Sequence, residues 1–296
     1  MIVDAASLKD LYSGFNVSFN KGFKKTVAHW DKVAMKVTST GSEENYSWLG
    51  DLPGIREWLG ERFIHRLSAA RHVIVNRKFE QTIAVLRDKI ADDQYGIYAP
   101  LFEKMGYDTA QHPDDLVFSL LKLGFTTRCF DEQYFFDTDH PGYDENGEEV
   151  SVSNMQAGAN PPWFLVDNNQ PIKPLIYQER EGFKFESLIN PTDAHVFFKD
   201  EYVYGVRGRS NAGFGLWQMC FASRATLDET NFVAARTAMM NFRRKSGKPI
   251  GIMPTHLIVP PSLDAAARKL LKALKDDGGS NEWANSVEPV VTAFLT

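Results

Sequence analysis

The first forty residues place apolar side chains at the spacing of one helical face. The recurring positions are Leu8, Leu11, Tyr12, Phe15, Phe19 and Phe23. The residues between them include the poor helix formers Ser13, Gly14, Asn16, Asn20 and Gly22. Because propensity alone does not hold such a helix together, the pattern predicts a helix that needs a partner surface. That surface is either the chain's own domain or a neighbouring molecule.

Residues 62–90 have the β-branched and aromatic content of extended strands. The pattern predicts a β-hairpin with strands at 71–75 and 79–86 and a connection at 76–78. Its basic residues are Arg62, His65, Arg66, Arg71, His72, Arg77, Lys78 and Arg87. Since an isolated two-stranded hairpin is marginal in water, this one must lie on something. An edge hairpin of an ordinary sheet is the alternative.

Residues 91–123 are predicted to be helical with an interruption. The two apolar stripes are Tyr98, Leu101, Phe102 and Met105, and Leu116, Val117, Leu120 and Leu121. Asp92 and Asp93 suit the positive N-terminal end of a helix. Pro113 implies a kink or a restart, because proline disrupts a helix interior. Gly124 is the expected stop.

The chain from 126 to 227 is expected to alternate short strands with loops. The expected strands are 163–166, 174–177, 195–198, 202–207 and 214–221. The glycine-rich run 205–215 lacks the spacing of a dinucleotide-binding loop, so a bend or tight turn is expected there. Residues 137–147 form a polar loop punctuated by glycine and proline.

A helix–strand–helix unit is predicted at 228–276. Thr226 and Glu229 have capping-box spacing ahead of its first helix. The basic run 243–245 is expected in the last turn of that helix, with Gly247 ending it. The remaining expected elements are a strand at 255–259, a helix capped by Ser262 and a strand at 287–295.

Composition fits a soluble globular protein with a sizeable core. The 296 residues are 43% hydrophobic and include 21 Phe, which indicates extensive apolar surface to bury within or between chains. The net charge of −5 argues against a nucleic-acid binder, whose footprint would be basic. Cys129 and Cys220 match no metal or redox spacing. No secretory signal or bilayer-spanning run is predicted, so we expect an intracellular chain when it is made.

Candidate chemistry is sparse. Residues 246–249 (SGKP) lack the leading glycine and the following Ser or Thr of a phosphate loop. Pro141 interrupts calcium-loop order in the densest ligand cluster, and a solvated loop is therefore favoured over a metal site. That cluster is Asp137, Asp139, His140, Asp144 and Glu145. Nothing local supports a Cys–His nucleophile at Cys129 or Cys220. We therefore expect no cofactor, metal or catalytic site.

Nine stretches, in order along nearly the whole chain, resemble the T-type major head subunit family of Mu-like phages. They are 46–58 (YSWLGDLPGIREW), 76–80 (NRKFE), 92–96 (DDQYG), 112–118 (HPDDLVF), 135–141 (FFDTDHP), 204–207 (YGVR), 213–218 (GFGLWQ), 249–254 (PIGIMP) and 257–261 (LIVPP). No single stretch is diagnostic, whereas together they are specific.

The resemblance implies an α+β fold of the Hong Kong 97 capsid type. Its expected parts are an N-terminal arm at 1–45, an extended E-loop hairpin region at 46–90, the spine helix of a peripheral domain at 91–125, and an axial domain plus the remaining peripheral strands at 126–296. About forty residues precede the hairpin region. Since many relatives begin with a large cleaved scaffolding segment, a separate scaffold chain is expected here.

The function implied is that of a major capsid protein, not an enzyme, that self-assembles into the icosahedral shell around a double-stranded DNA genome. The implied partners are copies of itself in hexamers and pentamers, a separate scaffold and maturation protease, the portal, a decoration protein and DNA held without sequence specificity. No membrane partner is expected. Location would be the virion, and the host cytoplasm during assembly. The alternative is a minor head or connector component. The expected inter-subunit contacts are Phe15, Phe19, Phe23, Arg71, Arg77 and Lys78.

Overall fold

The computed structural model describes residues 5–50, 72–92, 96–272, 274 and 279–296. The helices in chain order are α1 (Ala5–Lys25), α2 (Arg87–Asp92), α3 (Ala99–Leu123), α4 (Ala194–Lys199), α5 (Glu229–Met240) and α6 (Asp264–Leu271). The strands are β1 (Ala34–Thr38), β2 (Glu43–Asn45), β3 (Val73–Val75), β4 (Arg77–Leu86), β5 (His140–Tyr143), β6 (Glu149–Val152), β7 (Met155–Gln156), β8 (Trp163–Val166), β9 (Leu175–Leu188), β10 (Glu201–Phe214), β11 (Cys220–Ser223), β12 (His256–Val259) and β13 (Glu288–Val291).

A four-stranded sheet is built around the long antiparallel pair β9 and β10, in the order β1-β9-β10-β4. Strand β1 runs parallel to β9, and β4 runs antiparallel to β10. Burial alternates along much of β10, as expected for a strand with one face on a core. Helices α1 and α3 cover that face. The shared core contains Phe15, Phe19, Phe102, Met105, Phe185, Tyr202 and Tyr204.

A five-stranded sheet in the order β13-β12-β8-β11-β7 forms the second centre of the fold. Its strands β8, β11 and β12 are buried at every position, because the sheet is covered on both faces. The core here includes Val117, Phe118 and Leu121 of α3, together with Phe232 and Met239 of α5. Within the described ranges, no helix combines the length and apolar composition of a membrane span.

Helices α1 and α3 cross with their backbones in direct contact. A Cβ added at Gly22 would lie 1.9 Å from the carbonyl oxygen of Glu103, and one at Gly106 would lie 2.0 Å from that of Phe19. Only glycine permits this approach. The predicted arm helix is therefore confirmed, and its partner surface includes α3 of its own chain.

Four predictions about strands were wrong. The expected strand at 214–221 is interrupted by a 3-10 turn at Trp217–Met219, and its two ends belong to β10 and β11. Strands 71–75 and 79–86 do not pair with each other, since β3 pairs with β2 and β4 pairs with β10. Residues 195–198 lie in α4, where only Val196 of this helix is buried. The glycine-rich run 205–215 lies mostly within β10. Its glycines make room for neighbours, as at Gly208 beneath the Phe183 ring and Gly213 beside Ile74.

Helix ends also differ from the predictions. Pro113 lies inside α3, which runs on without a restart. Asp92 ends the separate helix α2, and Asp93 lies outside the described residues. Gly124 does follow the last residue of α3, and a Cβ there would lie 2.6 Å from the Phe136 ring.

The C-terminal unit corrects three further details. Asp228, rather than Thr226, caps α5 by accepting from the Asn231 N–H at 2.9 Å. This helix ends at Met240, so the basic run 243–245 lies beyond its last turn. Ser262 lies within a short 3-10 turn ahead of α6 and does not cap that helix. Local spacing could not distinguish these neighbouring polar candidates.

We predict that Gly106→Ala destabilises the unassembled subunit by about 1–3 kcal/mol, because the added methyl forces α1 away from α3. Urea denaturation followed by circular dichroism measures the change. Gly14→Ala is the matched control, since a Cβ at Gly14 meets no atom of the described residues within 4 Å. This control should gain up to about 1 kcal/mol from helix propensity. Equal effects at both sites would contradict the crossing described.

Candidate functional site

Strands β2 and β3 form the base of an excursion of the chain. Asn45 pairs with Val73, so residues 46–72 leave and return at adjacent positions. Of this excursion, residues 51–71 lie outside the described part of the structure. This excursion lies earlier in the chain than the 71–86 hairpin that the residue pattern indicated, and the E-loop region expected at 46–90 stays a prediction.

The base of this excursion is fixed to β9 by a buried side-chain network centred on Gln178. The Gln178 Oε1 atom accepts from the Tyr46 hydroxyl at 2.7 Å. Its Nε2 group donates to the Ile74 carbonyl at 3.0 Å and to Asn76 Oδ1 at 2.8 Å. Asn76 in turn donates to Ser39 Oγ at 2.8 Å. Burial raises the pKa of Tyr46 to about 12, so its hydroxyl stays a donor.

Glu44 closes the turn between β1 and β2. One carboxylate oxygen accepts from the Thr40 N–H at 2.7 Å, the Ser39 hydroxyl at 2.9 Å and the Gly41 N–H at 3.2 Å. These bonds, that from Thr40 foremost, lower the pKa of the Glu44 carboxyl. Both polar groupings lie at the base of the excursion and hold its described ends in place.

We predict that Gln178→Leu destabilises the subunit by about 2–3 kcal/mol, because it leaves the Tyr46 hydroxyl and the Ile74 carbonyl buried without partners. Denaturation of the unassembled subunit measures this. Gln111→Leu is the control, since Gln111 makes an exposed bond to the Tyr107 hydroxyl and should change stability by less than about 0.5 kcal/mol. A neutral Gln178→Leu variant would show that the network does not hold the base.

Asp114 connects the segment that follows α1 to α3. This side chain is 2% exposed. Its carboxylate accepts from the Trp30 N–H at 2.7 Å and from the His29 N–H at 2.9 Å. Burial raises the pKa of Asp114, although these bonds oppose the rise. The next residue back is Pro113, and His112 before it packs on the Phe79 ring at 4.2 Å. Tertiary contacts on both sides therefore keep the proline-containing segment helical.

We predict that Asp114→Ala accelerates backbone hydrogen exchange in residues 26–33, because the half-buried N–H groups of His29 and Trp30 lose their acceptor. Mass spectrometry of the unassembled subunit measures the exchange. The neighbouring Asp115→Ala variant is the control, since the exposed Asp115 accepts only from Ser119 among described residues. Unchanged protection in the Asp114 variant would contradict the role of this carboxylate.

The structure brings together three side chains that the sequence did not group, namely Cys129, Asp131 and His140. The Cys129 thiol donates to Asp131 Oδ1 at 3.0 Å, and His140 Nδ1 lies 2.7 Å from Asp131 Oδ2. The His140 ring stacks on Trp217, with centroids 4.1 Å apart. Among the residues that the structure describes, these three offer one ligand atom each, and the three atoms lie close enough together to share a metal ion.

This cluster has neither the order of a nucleophile site nor a full ligand set. Asp131 separates the thiol from the imidazole, whereas an activated cysteine needs the base in contact with sulfur. Burial raises the pKa of the Cys129 thiol, which keeps it protonated. Structural zinc takes four ligands, and three are present. Asp131 also accepts from the Gln133 N–H at 3.2 Å. The hydrogen bonds of this carboxylate therefore hold the loop around it closed.

Two other carboxylates of the predicted ligand cluster, Asp137 and Asp144, accept from backbone N–H groups. Asp144 accepts from the N–H groups of Asn146 and Glu148 at 2.8 and 2.9 Å, within the turn joining β5 to β6. Those bonds, that from Glu148 foremost, lower the pKa of Asp144. Asp137 accepts from the Thr138 N–H at 2.8 Å. Asp137 and Asp144 are thus turn-forming residues.

The predicted contact residues fall into two environments. Phe15 and Phe19 are buried within the chain, where the Phe15 ring lies 4.2 Å from Phe102 and the Phe19 ring 5.3 Å from Phe185. Phe23 is 41% exposed. Arg77 and Lys78 are exposed on β4, an edge strand of its sheet, whereas Arg71 lies outside the described residues. Their role between subunits stays a prediction.

Sequence reasoning missed an exposed aromatic pair at the far end of the β9–β10 hairpin. Phe197 and Phe198 on α4 are 72% and 78% exposed. Leu86 and Leu188, opposite Glu201 and Val203 at the same end of the sheet, are also exposed. The signal available was the adjacency of two Phe between polar residues. Because aromatic runs favour strands, that adjacency by itself predicts a strand.

The fold is shared with solved phage heads. A chain from the procapsid of bacteriophage JBD30 is similar with a TM-score of 0.87 and 38% identity, covering 99% of this chain and 100% of that one. A chain of the JBD30 capsid has a TM-score of 0.79 and 27% identity, covering 100% of both chains. A chain of the JBD30 capsid decorated with minor capsid protein trimers has a TM-score of 0.73 and 29% identity, covering 89% of both chains. The fold defines a tailed-phage major capsid protein of the Hong Kong 97 type.

Residues 8–295 match the family described as Mu-like prophage major head subunit gpT, and the chain belongs to this family. The major capsid protein of Escherichia phage Mu is 38% identical over 305 residues, covering 100% of both chains. The Mu-like prophage FluMu major head subunit of Haemophilus influenzae is 40% identical over 275 residues, covering 90% of this chain and 88% of the relative. The resemblance, the α+β fold and the function as a major head subunit are confirmed.

Proposed function

We propose that copies of this chain form the hexamers and pentamers of an icosahedral shell enclosing a double-stranded DNA genome. The observation that carries the proposal is the full-length match to the phage Mu relative, together with the likeness to the JBD30 procapsid. Each subunit of a shell contacts several neighbours, so that contacts that are weak individually become strong collectively. Assembly takes place in the host cytoplasm before the shell becomes part of the virion.

The chain acts by binding and performs no catalysis. Supporting this, the Cys129–Asp131–His140 cluster lacks nucleophile geometry, and Asp144 is occupied by its turn. The net charge of −5 suits a container, since a strongly basic lining would hold the phosphate backbone and impede packaging and ejection. DNA is therefore enclosed without sequence-specific contacts.

The chain divides into an arm at 1–45, an E-loop region at 46–90, a spine helix at 91–125, and an axial domain with further peripheral strands at 126–296. Two separate hydrophobic cores support this division. Strands β9 and β10 lie in the last of these segments but belong to the peripheral domain. Strands β8, β11 and β12 belong to the axial domain. Further partners are a separate scaffold and maturation protease, the portal and a decoration protein. The decorated JBD30 capsid supports the last of these.

The E-loop region and the arm are the segments that reach neighbouring subunits. The excursion 46–72 leaves its sheet from a rigid base, and Arg77 and Lys78 stand exposed beside that base. Arg71, Arg77 and Lys78 meet carboxylates of a neighbouring acidic subunit, which favours specificity and register more than raw affinity. On the arm, the exposed Phe23 is the aromatic residue available to a neighbour.

We predict that replacing Arg71, Arg77 and Lys78 with Glu abolishes shells and leaves a folded subunit. The chain is produced with the proteins encoded beside it, shells are counted by negative-stain imaging, and folding is checked by circular dichroism. A control with the same change in net charge replaces Lys245, Lys248 and Arg268 with Glu and should still assemble.

The outcomes separate the alternatives. Closed shells from the unaltered chain support the proposed function, whereas a monodisperse monomer overturns it and a small closed ring indicates a connector. Normal shells from the triple variant overturn only the role of the basic residues and leave the proposed function intact.

A further inference from the structure

The turn that joins β5 to β6 contains the only Asn-Gly pair in the sequence, Asn146–Gly147. Asn146 is exposed, so water reaches its side chain. Because glycine has no Cβ, no side chain on Gly147 hinders its backbone nitrogen from approaching the side chain before it. In such a pair the nitrogen of the glycine attacks the side-chain amide carbon of the asparagine and closes a five-membered imide ring.

Asp144 contacts both groups that exchange a proton in this reaction. Its Oδ2 atom accepts from the Asn146 side-chain amide, which is the leaving group, at 3.2 Å. The carboxylate also accepts from backbone N–H groups, from Glu148 foremost and from Gly147 among the others, and these bonds lower its pKa. The Gly147 N–H is shared with the Asp144 carbonyl at 3.2 Å, the long end of the range for such bonds. An ionised carboxylate therefore lies beside both the attacking and the departing nitrogen.

We infer that Asn146 is a site of spontaneous self-modification, in which Asp144 carries the proton from the attacking nitrogen to the leaving amide. The Gly147 nitrogen gives its proton to Asp144 and bonds to Cγ of Asn146, whose amide nitrogen takes up that proton and leaves as ammonia. Water then opens the imide at either carbonyl. The product at position 146 is aspartate, or isoaspartate with the backbone routed through the side chain. The chain is changed once and does not turn over, so its proposed function by binding stands.

The turn has no space for the longer backbone of isoaspartate, because it is in backbone contact with the loop that follows α5. A Cβ at Gly147 would lie 2.5 Å from the Lys245 carbonyl oxygen, and one at Gly247 would lie 2.2 Å from that of Glu145. Both glycines have a positive φ, of 81° and 74°. An extra methylene in the backbone at position 146 forces this contact apart, so the isoaspartate form has a lower Tm than the unmodified subunit.

Peptide mass spectrometry of the folded, unassembled subunit, sampled over several weeks of incubation, tests the inference. The peptide that contains residues 144–148 should gain the mass of an amide-to-carboxylate exchange at Asn146, and chromatography should separate its aspartate and isoaspartate forms. Asn241, which is exposed and followed by Phe242, is the internal control and should stay unmodified. Modification of Asn146 that is no faster than that of Asn241 overturns the inference and leaves the proposed function intact.

Asp144→Asn separates the proton carrier from the shape of the turn. The variant keeps an oxygen that accepts from backbone N–H groups and removes the base, so modification of Asn146 should slow at least tenfold, since a positioned acid–base group contributes about a hundredfold or more. In urea above the unfolding transition both chains should react at the same rate, because the carboxylate is no longer held beside Asn146. Circular dichroism checks that the variant folds. Equal or faster modification in the folded variant overturns the role of Asp144.

Discussion

The helix α3 ties two hydrophobic cores into one molecule. Its first half, with Phe102 and Met105, belongs to the core between α1 and the four-stranded sheet. Its second half, with Val117, Phe118 and Leu121, belongs to the core of the five-stranded sheet. Since all five side chains are buried, the two sheets cannot shift along this helix without exposing apolar surface. The continuity of α3 through Pro113 is therefore a central constraint of the fold.

That constraint suits a shell subunit. A subunit that must present several contact surfaces to several neighbours needs those surfaces at fixed relative positions. The arm is held on α3 by the Gly22–Gly106 crossing and by Asp114, and the base of the excursion 46–72 is held on β9 by Gln178. Each of these candidate contact segments is thus attached to α3 or to the four-stranded sheet that α3 covers.

The hydrogen-bonded polar side chains divide between two tasks. Gln178, Asn76 and Asp114 join segments far apart in the chain, whereas Asp131, Asp144 and Glu44 close local turns. The second group explains why a loop rich in carboxylates gave no catalytic geometry, because its acceptors are occupied by nearby N–H groups. The bonds of the first group fix the segment after α1 to α3 and the base of the excursion 46–72 to β9.

The sequence by itself determined the family, the arm helix, most strand positions and the order of parts, because these depend on local periodicity and on motifs spread along the chain. Only the tertiary structure decided strand pairing, as when β3 paired with β2 and β4 with β10. It also decided that Pro113 stays helical and that residues 195–198 form α4. Pairing and burial depend on residues a hundred positions away, such as Gln178 beside Asn76, and no local spacing encodes which of several apolar segments will meet. Phe15 and Phe23 have the same periodicity, yet packing on α3 buries one and leaves the other exposed.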